Sequence, residues 1–94
     1  MAGVIEELED VLRSRAGEQP EGSYTTRLLG DPELLSRKIM EEAFETTLEL
    51  GRHAIDQTRL VSEATDLVYH LLVGLVGAGC SFAEVEAELA RRRQ

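Results

Sequence analysis

Apolar residues recur at helical spacing in four stretches of the chain. Val4, Ile5, Leu8, Val11 and Leu12 stand among acids, which predicts a short amphipathic helix over residues 4–14. Leu35, Ile39, Met40, Ala43, Thr47 and Leu50 share one face of a second helix, predicted to run to about Leu50. Asp31 marks its start because its carboxylate can accept from free amides, and Pro32 suits the first helical position. Gly51 offers a left-handed stop. After a connector over residues 51–57, Thr58 can cap a third helix that runs to about Ala78, with Gly79 as terminator. Ser81 and Glu84 have capping-box spacing for a fourth helix, on which Phe82, Val85 and Leu89 form one apolar face and Arg91, Arg92 and Arg93 oppose the helix dipole. Residues 15–30 carry Gly17, Pro20, Gly22, Ser23 and Gly30 with little periodicity, so they read as a loop long enough to ask for a function. No strand pattern, repeat or low-complexity tract appears. The predicted class is all-α, a single domain over residues 1–94 built as a helical bundle with four main helices.

The third helix is apolar around most of its circumference. Tyr69 and the ridge Leu67, Leu71, Leu72 and Leu75 suit a core or a dimer interface, and Gly74 and Gly77 remove side chains where another helix can approach. The longest apolar run, residues 67–80, is too short to span a bilayer and includes His70, so it reads as a buried helix. The N-terminal stretch Met1-Ala2-Gly3-Val4-Ile5-Glu6-Glu7 lacks the basic start and apolar run of a signal peptide, which makes the cytoplasm the expected location. Cys80, the single cysteine, excludes an internal disulfide and is expected to serve packing. A chain of 94 residues gains only modest stability from its own core, so oligomerisation is expected.

Ten basic against eighteen acidic residues give a net charge of -8, which disfavours bare nucleic acid and anionic membranes as partners. A phosphorylated ligand would need a divalent cation held by carboxylates, or a few basic residues placed against the overall charge. Lys38, Glu41, Glu42, Glu45 and Glu49 fall in a wedge of about 100° on the second helix, which taken alone describes a solvated face. Glu63, Asp66 and His70 are different, because their stripe of about 60° lies in an otherwise apolar helix. Half-buried carboxylates are costly unless paired or coordinated. Four or five of them around one gap between neighbouring helices call for a hard, oxygen-seeking cation, and Mg²⁺ fits because it keeps waters and substrate phosphates among its ligands. His70 can ligate or move protons, although a histidine on a buried helix more often makes structural hydrogen bonds. Lys38 can pair with Glu42 one turn on or contact the substrate.

Three segments together resemble one family. Lys38-Ile39-Met40-Glu41-Glu42-Ala43-Phe44-Glu45 resembles a Glu-Glu-x-x-Glu element preceded by lysine, and Glu63-Ala64-Thr65-Asp66 followed by Tyr69-His70-Leu71-Leu72 resembles a Glu-x-x-Asp element with its Tyr-His-Leu-Leu sequel. Gly22-Ser23-Tyr24-Thr25 with Arg27-Leu28-Leu29 is the most discriminating, and it accounts for the long loop. Over residues 5–92 the chain is similar to the phosphoribosyl-ATP pyrophosphohydrolases, a branch of the MazG-type all-α nucleotide pyrophosphohydrolases. It departs from them at Phe44 and Thr65, where smaller residues are common.

The resemblance implies Mg²⁺-dependent hydrolysis of phosphoribosyl-ATP to phosphoribosyl-AMP and pyrophosphate in histidine biosynthesis. It implies metal binding by Glu42, Glu45, Glu63 and Asp66, with Glu41 nearby as a further catalytic acid, ligand or base. Substrate contacts would come from Tyr24, Thr25, Arg27, Lys38 and His70. It also implies a homodimer that completes the bundle through helices two and three of both subunits, and a phosphoribosyl-AMP cyclohydrolase on a separate protein for the next step. Two other readings compete. A MazG-type nucleoside triphosphate pyrophosphohydrolase would share the metal site, although Gly22 to Thr25 argues against it. A non-catalytic helical dimerisation module would carry the acids as surface charge, and Mg²⁺ would change neither its stability nor any turnover.

Overall fold

The computed structural model describes residues 3–93, so the first two residues of the stretch read for a leader lie outside it. Five helices follow one another: α1 (Val4–Glu18), α2 (Tyr24–Leu29), α3 (Pro32–Leu50), α4 (Gln57–Gly77) and α5 (Phe82–Arg92). The all-α class holds, with one more helix than the four main ones expected. That helix, α2, comes from the segment read as loop. Ser23 caps it by accepting from the Thr26 amide at 3.3 Å, and it buries Thr25 and Leu28. Six residues are too few to generate a visible apolar period, so only the capping serine signalled it.

Other boundaries also move for local reasons. The first helix continues one turn past Ser14 to Glu18, where Gln19 adopts a left-handed φ of 50° and donates its amide to the Arg15 carbonyl at 2.8 Å. Gly17 inside it costs only about 1 kcal/mol, which does not end a helix anchored by buried Leu12. Asp31 caps α3 as expected, accepting from Leu34 at 3.0 Å. Gly51 does not supply the expected left-handed stop, since its φ is -84° and its amide bonds back to Thr47. Asp56, rather than Thr58, caps α4 by accepting from the Arg59 amide at 3.2 Å. The end of α4 follows the expected pattern. Gly79 takes φ +80°, the Cys80 amide reaches the Leu75 carbonyl at 2.8 Å, and the Gly79 amide reaches Val76 at 3.0 Å. This reversal needs a residue without Cβ strain in the left-handed region. The capping box of Ser81 and Glu84 is present and starts α5.

The hairpin of α3 and α4 is the frame, and α1 and α2 lie against α4. Leu12, Leu28, Leu72 and Val73 form the fully buried core, wrapped by Ile5, Leu8, Leu29, Leu34, Leu35, Tyr69 and Phe82 among others. Gly74 and Gly77 allow the close approach read for them, because a Cβ there would stand 3.5 Å from Leu35 Cδ2 and 3.1 Å from Leu29 Cδ2. The apolar face expected of α3 is divided. Leu35, Ile39 and Ala43 turn toward α4, whereas Met40, Thr47 and Leu50 are exposed, as are Phe44 and Leu48. A wide apolar arc exceeds what one neighbouring helix can cover.

Glu9 is 3% exposed and ties α5 to α1, with its Oε2 accepting from the Phe82 amide at 3.0 Å and from Arg13 Nη2 at 3.2 Å. Glu9→Ala leaves that helix-start amide without its partner, so a loss of about 1–3 kcal/mol is expected in urea unfolding. An unchanged midpoint would show that water replaces the bond at no cost.

Candidate functional site

Antiparallel packing in the hairpin turns two polar stripes toward each other. Lys38, Glu42, Glu45 and Glu49 recur at three- and four-residue intervals on α3, and Arg59, Glu63, Asp66 and His70 do so on α4. One carboxylate oxygen from each of Glu42, Glu45 and Glu63 lies within 4.8 Å of the others. Asp66 stands outside that group of three but close enough to raise the pKa of both Glu42 and Glu63.

The electrostatics of the gap are unfavourable without a cation. Burial raises the Glu42 pKa first, then the charges of Glu45 and Asp66, with His70 opposing. For Glu63 the largest cause is a hydrogen bond shared with Glu45, followed by burial and the charges of Glu45, Asp66 and Glu42. Glu42 Oε2 and Glu63 Oε2 are also buried without any hydrogen-bond partner. Orphaned carboxylate oxygens in an all-oxygen donor set fit a hard divalent cation, which would satisfy the oxygens and relieve the repulsion.

The remaining residues singled out from the sequence occupy different places. Glu41 is exposed and pairs with Lys38 Nζ at 3.3 Å, so the pairing of Lys38 with Glu42 is corrected to one with Glu41. Glu42 is turned into the acid cluster, which leaves its neighbour for the lysine. Glu49 is buried near the hairpin end, where Arg52 grips both its oxygens, Nε at 2.8 Å and Nη2 at 3.2 Å, and holds its carboxyl below the usual range. Arg27 is exposed on α2. Tyr24 Oη lies 2.7 Å from His70 Nε2, His70 Nδ1 lies 2.7 Å from the Asp66 carbonyl, and Thr25 Oγ1 lies 2.6 Å from Tyr69 Oη. Of the two family departures, Phe44 is 63% exposed. Thr65 lines an apolar cavity of about 460 Å³ between α1 and α4. The sequence reading missed Arg52 as the partner that withdraws Glu49 from the acids, although the three-residue spacing signalled it. It also missed the Thr25–Tyr69 bond, for which the sequence holds no local signal.

Fold and site together define a class, the all-α proteins in which a helical hairpin gathers carboxylates closely enough that they could hold a cation. A sequence model of the family described as phosphoribosyl-ATP pyrophosphohydrolase matches residues 5–93, and the chain belongs to that family. A relative from Methylobacterium nodulans named phosphoribosyl-ATP pyrophosphatase is 45% identical over 94% of this chain and 81% of its own length. One of the same name from Metallosphaera sedula is 45% identical over 98% of both chains. A bifunctional histidine biosynthesis protein, HisIE, from Shewanella oneidensis is 38% identical over 96% of this chain, which covers 42% of it.

Proposed function

We propose that this chain hydrolyses phosphoribosyl-ATP to phosphoribosyl-AMP and pyrophosphate in histidine biosynthesis, with Mg²⁺ held by Glu42, Glu45, Glu63 and Asp66. The observation that carries the reading is the carboxylate triad with its two orphaned buried oxygens, on a chain of this family. When bound, the cation supplies charge neutralisation at the phosphate oxygens and a lowered pKa for water.

The chain's own residues supply the rest. Glu42, Glu45, Glu63 and Asp66 fix the position of the phosphoanhydride relative to the hairpin. Glu41, kept at the rim by Lys38, is the carboxylate left to accept a proton from attacking water. Lys38 and Arg27 are the cations that can meet phosphate oxygens against a net charge of -8. The water oxygen bonds to the α-phosphorus, the α–β anhydride bond breaks, and pyrophosphate leaves with the displaced oxygen.

The test is pyrophosphate release from phosphoribosyl-ATP compared with ordinary nucleoside triphosphates, each with Mg²⁺ and with EDTA. Metal-dependent turnover with the first substrate preferred supports the reading. Preference for ordinary triphosphates moves the chain to a different substrate, and no turnover of either by Mg²⁺-loaded protein rejects catalysis.

The same reading includes a homodimer in the cytoplasm. Met40, Phe44 and Leu48 on α3 and Val61, Val68 and Leu71 on α4 are all at least 40% exposed, apolar side chains that one copy leaves uncovered. By length and composition α4 could cross a bilayer, but it carries Glu63 and Asp66 of the acid cluster, which disfavours lipid. A second copy packed against these helices completes a bundle. Light scattering at micromolar concentration is expected to give twice the chain mass of 10.4 kDa, whereas a stable monomer would sink the dimer.

A further inference from the structure

His70 is 6% exposed and both of its ring nitrogens are engaged. Because the Asp66 carbonyl can only accept, Nδ1 is the nitrogen that donates to it at 2.7 Å. In the neutral imidazole Nε2 then carries the lone pair, so the Tyr24 hydroxyl donates to it, also at 2.7 Å. The rings of Tyr24 and Tyr69 meet the imidazole edge-on, with centroids 5.7 Å and 5.3 Å away. Tyr24 is the first residue of α2, immediately after the capping Ser23, so this chain of bonds joins the Gly-Ser-Tyr-Thr segment to the helical turn that bears Asp66.

We propose that Tyr24 and His70 are positioning residues for the cation site rather than contacts of the substrate: the tyrosine fixes the tautomer of His70, and His70 fixes the turn from which Asp66 reaches the cation. The inference rests on the Mg²⁺ reading of the acid cluster. Two observations separate it from a purely structural bond. The imidazole continues the stripe of Glu63 and Asp66, and its Nδ1 is spent on the backbone of a proposed ligand residue. A histidine with both nitrogens committed is not free to bind a phosphate unless the tyrosine leaves. The neighbouring bond between Thr25 and Tyr69 ties the same two helices together without touching His70 through a hydrogen bond. It therefore provides an internal control.

Mn²⁺, which shares the oxygen-ligand preference of Mg²⁺, is titrated calorimetrically into the full chain without substrate, in wild type, Tyr24→Phe and Tyr69→Phe. Loss of a direct outer hydrogen bond to a metal ligand weakens binding by about 10–100-fold, and Tyr24 acts one bond further out through His70, so the Tyr24→Phe dissociation constant is expected to rise by up to about tenfold. Its KM for phosphoribosyl-ATP at saturating metal is expected to stay within about twofold while kcat falls. Nitrogen-15 spectra of labelled histidine are expected to show the Nδ1–H tautomer at His70 in wild type and an averaged or altered signal in Tyr24→Phe. Tyr69→Phe is expected to lower the melting temperature and keep wild-type Mn²⁺ affinity. Equal Mn²⁺ affinity in wild type and Tyr24→Phe overturns the proposal, and so does a raised KM with unchanged affinity, which makes Tyr24 a substrate contact. Equal losses of affinity in both variants reduce the pair to a structural tie and overturn it as well. Wild type that binds no metal rejects the Mg²⁺ reading itself and takes this inference with it.

Discussion

Glu45→Gln and Asp66→Asn are each expected to lower pyrophosphate release from phosphoribosyl-ATP by on the order of a hundredfold or more, because each removes one negative oxygen from the proposed cation site. Glu45 is the stronger case. It shares the three-acid group with Glu42 and Glu63, and its proximity raises the pKa of both. Its amide analogue keeps the shape and helix propensity while replacing an oxygen ligand by a donor that no cation accepts. Asp66 lies just outside that group but completes the charge around it. Glu41→Gln is a useful comparison. Glu41 is exposed and paired with Lys38, so if it accepts the proton of water its loss lowers kcat without altering metal affinity. Steady-state assays with circular dichroism of each variant decide the matter. Glu45→Gln retaining turnover within about threefold of wild type would remove the cluster from the chemistry.

Much of this arrangement is legible in the sequence because it is written at helical spacing. The bounds of α3, the capping box of α5 and the turn at Gly79 depend on residues close together in the chain, and all three are found where expected. The approach of Gly74 and Gly77 to Leu35 and Leu29 follows from the same stripe that carries Asp66 and His70. Failures have a different physics. Helix α2 is held by burial of Thr25 and Leu28 against other helices, and tertiary packing outweighs the local signal of a Gly- and Ser-rich segment. The pairing of Lys38 with Glu41 instead of Glu42 depends on α4, whose acids face Glu42. Intrahelical spacing permits both pairs, and only the neighbouring helix chooses. The bonds of Thr25 to Tyr69, Tyr24 to His70 and Glu9 to Phe82 span 44, 46 and 73 residues, distances at which a single sequence carries no pairing information.

The instability built into the acid cluster leads to an expectation opposite in sign to the usual one for carboxylates. Glu42 and Glu63 have folded-state pKa values raised above the ordinary 4.5. As pH rises through 4.5 the unfolded chain releases these protons while the folded chain still holds them, so folding stability falls with rising pH until the raised values are passed. Below 4.5 both states are protonated and the groups contribute nothing. Glu49 behaves conversely, since Arg52 depresses its pKa and its stabilisation is lost only as pH falls through that depressed value, below this window. In EDTA, therefore, acidifying from neutral pH toward 4.5 is expected to raise the melting temperature.

Saturating Mg²⁺ should reverse that trend, because it binds only the ionised carboxylates and so stabilises more as pH rises. At a hundred times its dissociation constant a single bound cation adds about 2.7 kcal/mol, roughly 10–20 °C in a domain of this size. Glu45→Gln separates the two effects in one molecule. Its amide can donate to Glu42 and Glu63 and removes one of the repelling charges, so in EDTA it is expected to melt above wild type by several degrees. In Mg²⁺ it is expected to melt below wild type, having lost the ligand. Scanning calorimetry of both proteins with EDTA and with Mg²⁺ reads all four values. A wild-type melting temperature indifferent to Mg²⁺, or a Glu45→Gln variant less stable than wild type in EDTA, would show that the acids are solvated surface charge and that the hairpin holds no cation. The proposed crossing of stabilities arises because carboxylates crowded for a cation repel until it arrives, and that conflict is what Gln at position 45 relieves.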